Sequence, residues 1–133
     1  MRTAKSMGIV TVAVYSEADK VAPHVLFADE AICIGPAPSR DSYLRMDKII
    51  EAAIHSKCDA IHPGYGFLSE NQTFVEVCQH HNIKFIGPSV DSMVLMSDKS
   101  KAKDVMKKAS VPVILGSEGV LESVEEAKKL AEQ

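Results

Sequence analysis

Short apolar runs rich in β-branched residues recur along this chain, and most are closed by glycine or proline and followed by a stretch of helical periodicity. The runs are residues 9–15 (IVTVAVY), 31–34, 59–62 and 84–86. Strands separated by helix-length segments cannot pair as hairpins. They pair in parallel, with the helices as crossovers covering the sheet faces. The alternation therefore predicts an α/β fold with a mainly parallel sheet. Residues 9–15 are almost continuously apolar, which predicts a strand buried on both faces.

Between these runs, residues 23–28 predict a short helix and Gly35-Pro36-Ala37-Pro38 a rigid connector. A helix is expected over residues 41–57, with Tyr43, Met46, Ile50, Ala53 and Ile54 as its apolar stripe. Ser69 and Gln72 have the spacing of a capping box, which opens a helix carrying Phe74, Val77, Cys78 and His81 on one face. Ser89 is expected to cap a short helix ending near Met96. A further helix runs from Asp98 to about Ala109, with Ala102, Val105, Met106 and Ala109 inward. Residues 111–115 read as extended and 116–119 as a loop. Ser123 and Glu126 form a second capping box before a last helix with Val124, Ala127, Leu130 and Ala131 on its apolar face. Residues 1–7 read as the last turns of a helix with Gly8 as its cap. No strand precedes that helix, so a fragment, or a product begun at an internal methionine, is expected.

The chain has 133 residues, 46% hydrophobic and 25% charged, which suits one globular domain. No apolar run approaches the ~18 residues of a membrane span. A net charge of −3 argues against a dedicated nucleic-acid binder. Three cysteines without a CxxC pair predict free thiols, each in an apolar context that suggests core. The five histidines form no metal-ligand spacing, and no P-loop, HExxH or GxSxG is present.

The segment richest in chemistry is His62-Pro63-Gly64-Tyr65-Gly66-Phe67-Leu68-Ser69-Glu70-Asn71. It joins the carboxyl end of a strand to the start of a helix, the edge where ligands bind in open α/β sheets. Gly64 and Gly66 permit left-handed backbone or close approach of a ligand. Tyr65 offers a flat face and a phenol, and Glu70 is expected in the first helical turn. The plain alternative is a βα turn whose glycines serve geometry alone. Phe85-Ile86-Gly87-Pro88-Ser89 repeats the design, and it too reads as a simple turn or as a second close approach. Lys99 lies in a first helical turn, where a cation is disfavoured by roughly 0.3–1 kcal/mol, which suggests that an anion comes there; the plain alternative is a solvated surface lysine. The neighbouring lysines read as solvated surface.

HPGYGFLSEN, FIGPS, ADEAICIGPAPSRDSYL, the DKSKAK segment and VPVILGSEG occur in the order seen in biotin carboxylases, and the chain resembles that family over essentially its whole length. The family comprises the ATP-dependent subunits or domains of acetyl-, propionyl- and methylcrotonoyl-CoA carboxylases and of pyruvate carboxylase. The resemblance implies a Rossmann-like parallel sheet flanked by helices, its first strand missing here. Residues 1–115 would be that truncated domain and 116–133 a linker and helix leading to an ATP-grasp domain. It implies carboxylation of carrier-bound biotin with ATP, Mg2+ and bicarbonate, the fragment alone being inactive. No catalytic residue is expected within the fragment. Lys99 would contact an ATP phosphate. Tyr65, Gly66 and Glu70 would line the biotin and bicarbonate side of the cleft, and His62 and Gly64 would shape the loop. Arg2 would lie at a dimer interface. The magnesium carboxylates would lie in the ATP-grasp domain. Partners would be the rest of the carboxylase, a biotin carboxyl carrier domain, a carboxyltransferase subunit and a second copy, with no nucleic acid or membrane. The compartment would be the mitochondrial matrix in a eukaryote and the cytoplasm in a bacterium. The competing reading is a stand-alone α/β module that binds a nucleotide or phosphate without catalysis.

Overall fold

The computed structural model describes residues 1–114 and 123–131, except the side chains of Lys99, Ser100, Glu126, Leu130 and Ala131. Two compact units are present, Met1–Ser89 and Val90–Gln133.

The first unit opens with α1 (Arg2–Ser6). Gly8 adopts φ 73°, the left-handed geometry that ends a helix at low cost. Its N–H donates to the Lys5 carbonyl and the Ile9 N–H to that of Ala4, the paired bonds of a Schellman motif. Ile9 therefore belongs to the helix exit, and β1 covers Val12–Ser16 rather than 9–15. Within β1, Ala13 and Ser16 are buried while Val12, Val14 and Tyr15 are half-buried; Ile9 and Val10 are exposed. The double-faced burial expected of this run is not realised. Thr11 fastens the entry of the strand. Its N–H and hydroxyl each donate to Asp29 Oδ2 at 2.8 Å. Those two bonds, backbone first, hold the Asp29 carboxyl below its ordinary range.

After α2 (Pro23–Phe27), β2 (Glu30–Gly35) pairs with β1 in parallel, from Val12 opposite Glu30 to Ser16 opposite Gly35. The register shifts between Tyr15 and Ser16. Gly35 takes φ 144°, and a Cβ there would come within 2.4 Å of the Asp41 carbonyl oxygen. The helix expected over 41–57 is shorter. A 3-10 turn at Ser39–Asp41 precedes it, and α3 spans Met46–His55. The Ser42 hydroxyl donates to the Pro38 carbonyl at 2.9 Å, a local bond that competes with helix continuation. Its buried residues are Ile50, Ala52 and Ala53, whereas Ile54 is exposed and Tyr43 lies outside the helix.

Next come β3 (Ala60–Ile61), α4 (Gln72–His80) and β4 (Lys84–Phe85), with β3 and β4 parallel. The strands thus form two separate parallel pairs, β1–β2 and β3–β4. Helix α4 buries Phe74, Val75 and Cys78, while His81 is exposed as its C-cap. Phe74 meets Phe85 edge to face at 6.1 Å, and Leu68 and Ile83 join them in the core. Of the three free thiols only Cys78 is fully buried, and burial pushes its pKa up. Cys33 is exposed although the next residue of the strand, Ile34, is buried, as alternation along a strand with one covered face allows.

The second unit contains α5 (Val90–Ser97) packed on α6 (Lys99–Lys108), and α7 (Val124–Ala131). Met93 is buried, and the Asp98 carboxylate accepts from the Lys101 N–H at 3.2 Å to cap α6. Residues 111–114 carry neither helix nor strand. Leu115, the loop expected at 116–119 and the Glu126 half of the second capping box lie outside the described residues. No helix among the described residues is long and apolar enough to cross a membrane.

Candidate functional site

Residues 62–71 connect the carboxyl end of β3 to α4. The loop is built from local bonds. Gly64 donates its N–H to His62 Nδ1 at 3.0 Å, which requires that nitrogen to be unprotonated and folds the imidazole back on the turn. Gly64 and Gly66 stand at φ 71° and 77°, and a Cβ on either would meet nothing within 4 Å. Their use here is left-handed backbone in open surroundings. Between them the Tyr65 side chain is wholly exposed. Phe67 also takes a left-handed φ of 45°, an uncommon position for a bulky residue. Leu68 turns inward and is 5% exposed, anchoring the loop to the core.

Two tight turns follow, from Ser69 N–H to the Gly66 carbonyl and from Asn71 N–H to the Leu68 carbonyl. They displace the start of the helix. Asn71, not Ser69, is the N-cap, its side-chain oxygen accepting from the Phe74 N–H at 2.9 Å. Gln72 is consequently the first helical residue. Glu70 lies before the cap, exposed, rather than in the first turn as expected.

A residue that sequence patterning assigned to a helical stripe proves to support this loop. Tyr43 stacks its ring on Phe67, with centroids 5.5 Å apart and an interplanar angle of 22°. Its hydroxyl donates to Asp19 Oδ2 at 2.5 Å and accepts from the Ser16 N–H at 3.0 Å. The Ser16 hydroxyl donates to the same carboxylate oxygen at 2.9 Å. The Tyr43 and Ser16 bonds, in that order, hold the Asp19 carboxyl below its ordinary range. Burial, then the Asp19 bond, raises the Tyr43 phenol. The only hint in the sequence was a tyrosine following a Pro-rich connector, where a polar-tipped aromatic has freedom to leave the helix.

The second corner, after β4, differs. A Cβ on Gly87 would fall 2.4 Å from the Phe85 ring, so the glycine there accommodates packing and opens no room for a ligand. Lys99 is the first residue of α6, in the second unit, and its side chain lies outside the described residues. Arg2 is exposed on α1. Among the described residues no group of three His, Cys, Asp or Glu could hold a metal ion. A groove of about 470 Å³ lies between β2 and α3, lined by Cys33, Gly35, Lys48, Glu51 and His55 among others. None of residues 62–71 lines it.

Residues 1–93 match the family described as "Biotin carboxylase, N-terminal domain". Biotin carboxylase 2, chloroplastic, from Populus trichocarpa is 56% identical over all 133 residues, which make up 25% of that protein. The crystal structure of a Campylobacter jejuni biotin carboxylase–β,γ-ATP complex superposes with a TM-score of 0.87 at 62% identity, covering 98% of this chain and 29% of that one. The biotin carboxylase domain dimer of Hydrogenobacter thermophilus 2-oxoglutarate carboxylase, in complex with MgADP, ADP and bicarbonate, gives a TM-score of 0.83 at 48% identity, covering 98% and 29%. The chain thus spans between a quarter and a third of the length of these proteins. The relatives include proteins named chloroplastic, from Populus trichocarpa, and mitochondrial, from Dictyostelium discoideum, and one from the bacterium Bacillus subtilis.

Proposed function

Since the chain belongs to the family of biotin carboxylase N-terminal domains, we propose that it forms one wall of a site where ATP and bicarbonate carboxylate carrier-bound biotin. The observation that carries this reading is the loop after β3. It presents Tyr65, wholly exposed, between two glycines with open surroundings, at the strand edge where α/β sheets take their ligands. Gly64 and His62 set the turn, Gly66 keeps the face beside Tyr65 clear, and Glu70 sets a carboxylate just ahead of the helix. These groups are assigned to binding and orientation.

Lys99 is assigned to an ATP phosphate, where a point charge at a helix start would meet the triphosphate. The described residues do not suit magnesium, so that ion is assigned to the part of the protein beyond this domain, an ATP-grasp domain reached through residues 116–133. Arg2 on α1 is assigned to a contact with a second copy, by analogy with the dimer of the Hydrogenobacter domain. A carrier domain bearing biotin and a carboxyltransferase subunit complete the assembly.

The test is a chimera in which this chain replaces the matching segment of the Campylobacter enzyme. Biotin- and bicarbonate-dependent ADP release at a rate near the parent's is the expected result. A folded chimera that binds MgATP yet releases ADP with no response to biotin contradicts the assignment.

A further inference from the structure

Phe67 is a bulky residue held at φ 45° and 63% exposed as a whole, so little of its own burial secures it. The contact that does is the stack on Tyr43. Tyr43 in turn is fixed at its far end. The hydroxyl is bonded to Asp19 and to the N–H of Ser16, and Ser16 is the last residue of β1, 1% exposed. A continuous path of contacts therefore runs from the end of β1 through Asp19 and Tyr43 to Phe67, two residues from Tyr65.

We propose that Tyr43 is a positioning residue for residues 64–67: anchored by its hydroxyl to Asp19 and Ser16, its ring holds Phe67 and so fixes the direction in which Tyr65 projects. The physical basis is separation of duties. The glycines give the loop its left-handed turns but no side chains to hold it. Stiffness must come from outside, and the Tyr43 stack supplies it in a geometry favourable for paired rings. The Asp19 carboxylate makes the hydroxyl anchor a charge-assisted bond, stronger than a neutral one. The consequence for catalysis rests on the loop facing ligand, as proposed above.

Three variants of the chain test it: Tyr43→Phe keeps the ring and removes the anchor, Tyr43→Leu removes both, and Phe67→Leu removes the stack at an exposed position. Amide hydrogen exchange is measured across the folded chain. For each variant, exchange at Ser69 and Asn71, whose N–H groups close the two turns on the Gly66 and Leu68 carbonyls, is expected to quicken by about ten-fold, the loss of one favourable contact, with α3 and the core of α4 unchanged. Wild-type exchange at those amides in Phe67→Leu and Tyr43→Leu overturns the proposal. So does quickening spread evenly over α3 and α4, which marks a general packing role. In the chimera, the same variants are expected to raise KM for biotin while leaving kcat within about two-fold, since binding geometry and not chemistry is disturbed. Local loosening of the loop with KM unchanged supports the positioning of the loop by Tyr43 and contradicts the reading that the loop faces biotin.

Discussion

After β3 the chain takes residues 62–71 to reach α4; after β4 it takes only residues 86–89 to reach α5. Both corners join a strand to a helix and both contain glycine, yet the glycines answer to different forces. Gly64 and Gly66 sit at positive φ in open surroundings. Gly87 has no such φ and lies against the Phe85 ring, which is itself wedged edge-on to Phe74. One corner spends its glycines on conformation and leaves space beside an exposed tyrosine. The other spends its glycine on packing and leaves none. A Gly-containing strand–helix corner therefore points to a ligand only where the space beside the backbone stays empty.

The contrast can be broken most forcefully at its packed end. Phe74→Ala should cost ~3–5 kcal/mol of unfolding free energy, as expected for an aromatic removed from a filled core. Denaturant titration reads it, and a loss below about 1 kcal/mol would show that the β4 corner is not a packed one.

Next in size are the glycines themselves. Gly87→Ala should cost about 1–3 kcal/mol through overpacking, and part of this should return when Phe85→Leu is added. Gly64→Ala should cost about 1–2 kcal/mol from left-handed strain alone. Here Gly64→Asn should be milder, because asparagine tolerates that region better. Equal costs for alanine and asparagine at Gly64 would remove the conformational explanation.

The caps sharpen the boundary of the open corner. Asn71→Ala should lose about 1 kcal/mol of stability. Ser69→Ala should stay within about 0.5 kcal/mol. The reverse order would restore Ser69 as the helix cap.

The smallest effect is at the entry to β1. The Asp29 carboxyl is held below its ordinary value of 3.8 by the Thr11 N–H and hydroxyl. A lowered folded-state pKa contributes stability above the unfolded value that is lost as the pH falls through the folded one. Asp47, held by Arg45 at about 2, behaves likewise. Thermal unfolding should therefore fall more gently below about pH 4 in Asp29→Asn than in the parent. Identical acid profiles would deny Asp29 that role.

Much of this architecture was legible in the residues. Short apolar runs, most of them closed by glycine or proline, located the four strands among the described residues to within a few residues, and Gly8 marked the end of α1 by its left-handed conformation. The parallel α/β class and the loop of residues 62–71 followed from the same signals, while the Rossmann-like assignment came from the resemblance to biotin carboxylases. What patterning missed was decided by contacts distant in sequence. Ser69 and Asn71 both have capping chemistry, and only the burial of Leu68 and the two turns around it select Asn71. Tyr43 fits a helical stripe by spacing, but its hydroxyl gains a carboxylate and a backbone N–H by leaving the helix. Residues 9 and 10 are as apolar as the strand that follows, yet the Schellman exit claims Ile9 and leaves both exposed. Cys33 reads as core by composition, while strand alternation turns it outward beside a buried Ile34.

The most direct test of the central claim compares Gly66→Ala with Gly87→Ala in the chimeric biotin carboxylase, measuring kcat/KM for biotin alongside stability. The account predicts a fall of at least about ten-fold for Gly66→Ala, from misplacement of the Tyr65 wall, and a near-parental value for folded Gly87→Ala. Equal losses at both glycines, or a loss at Gly87 alone, would contradict it.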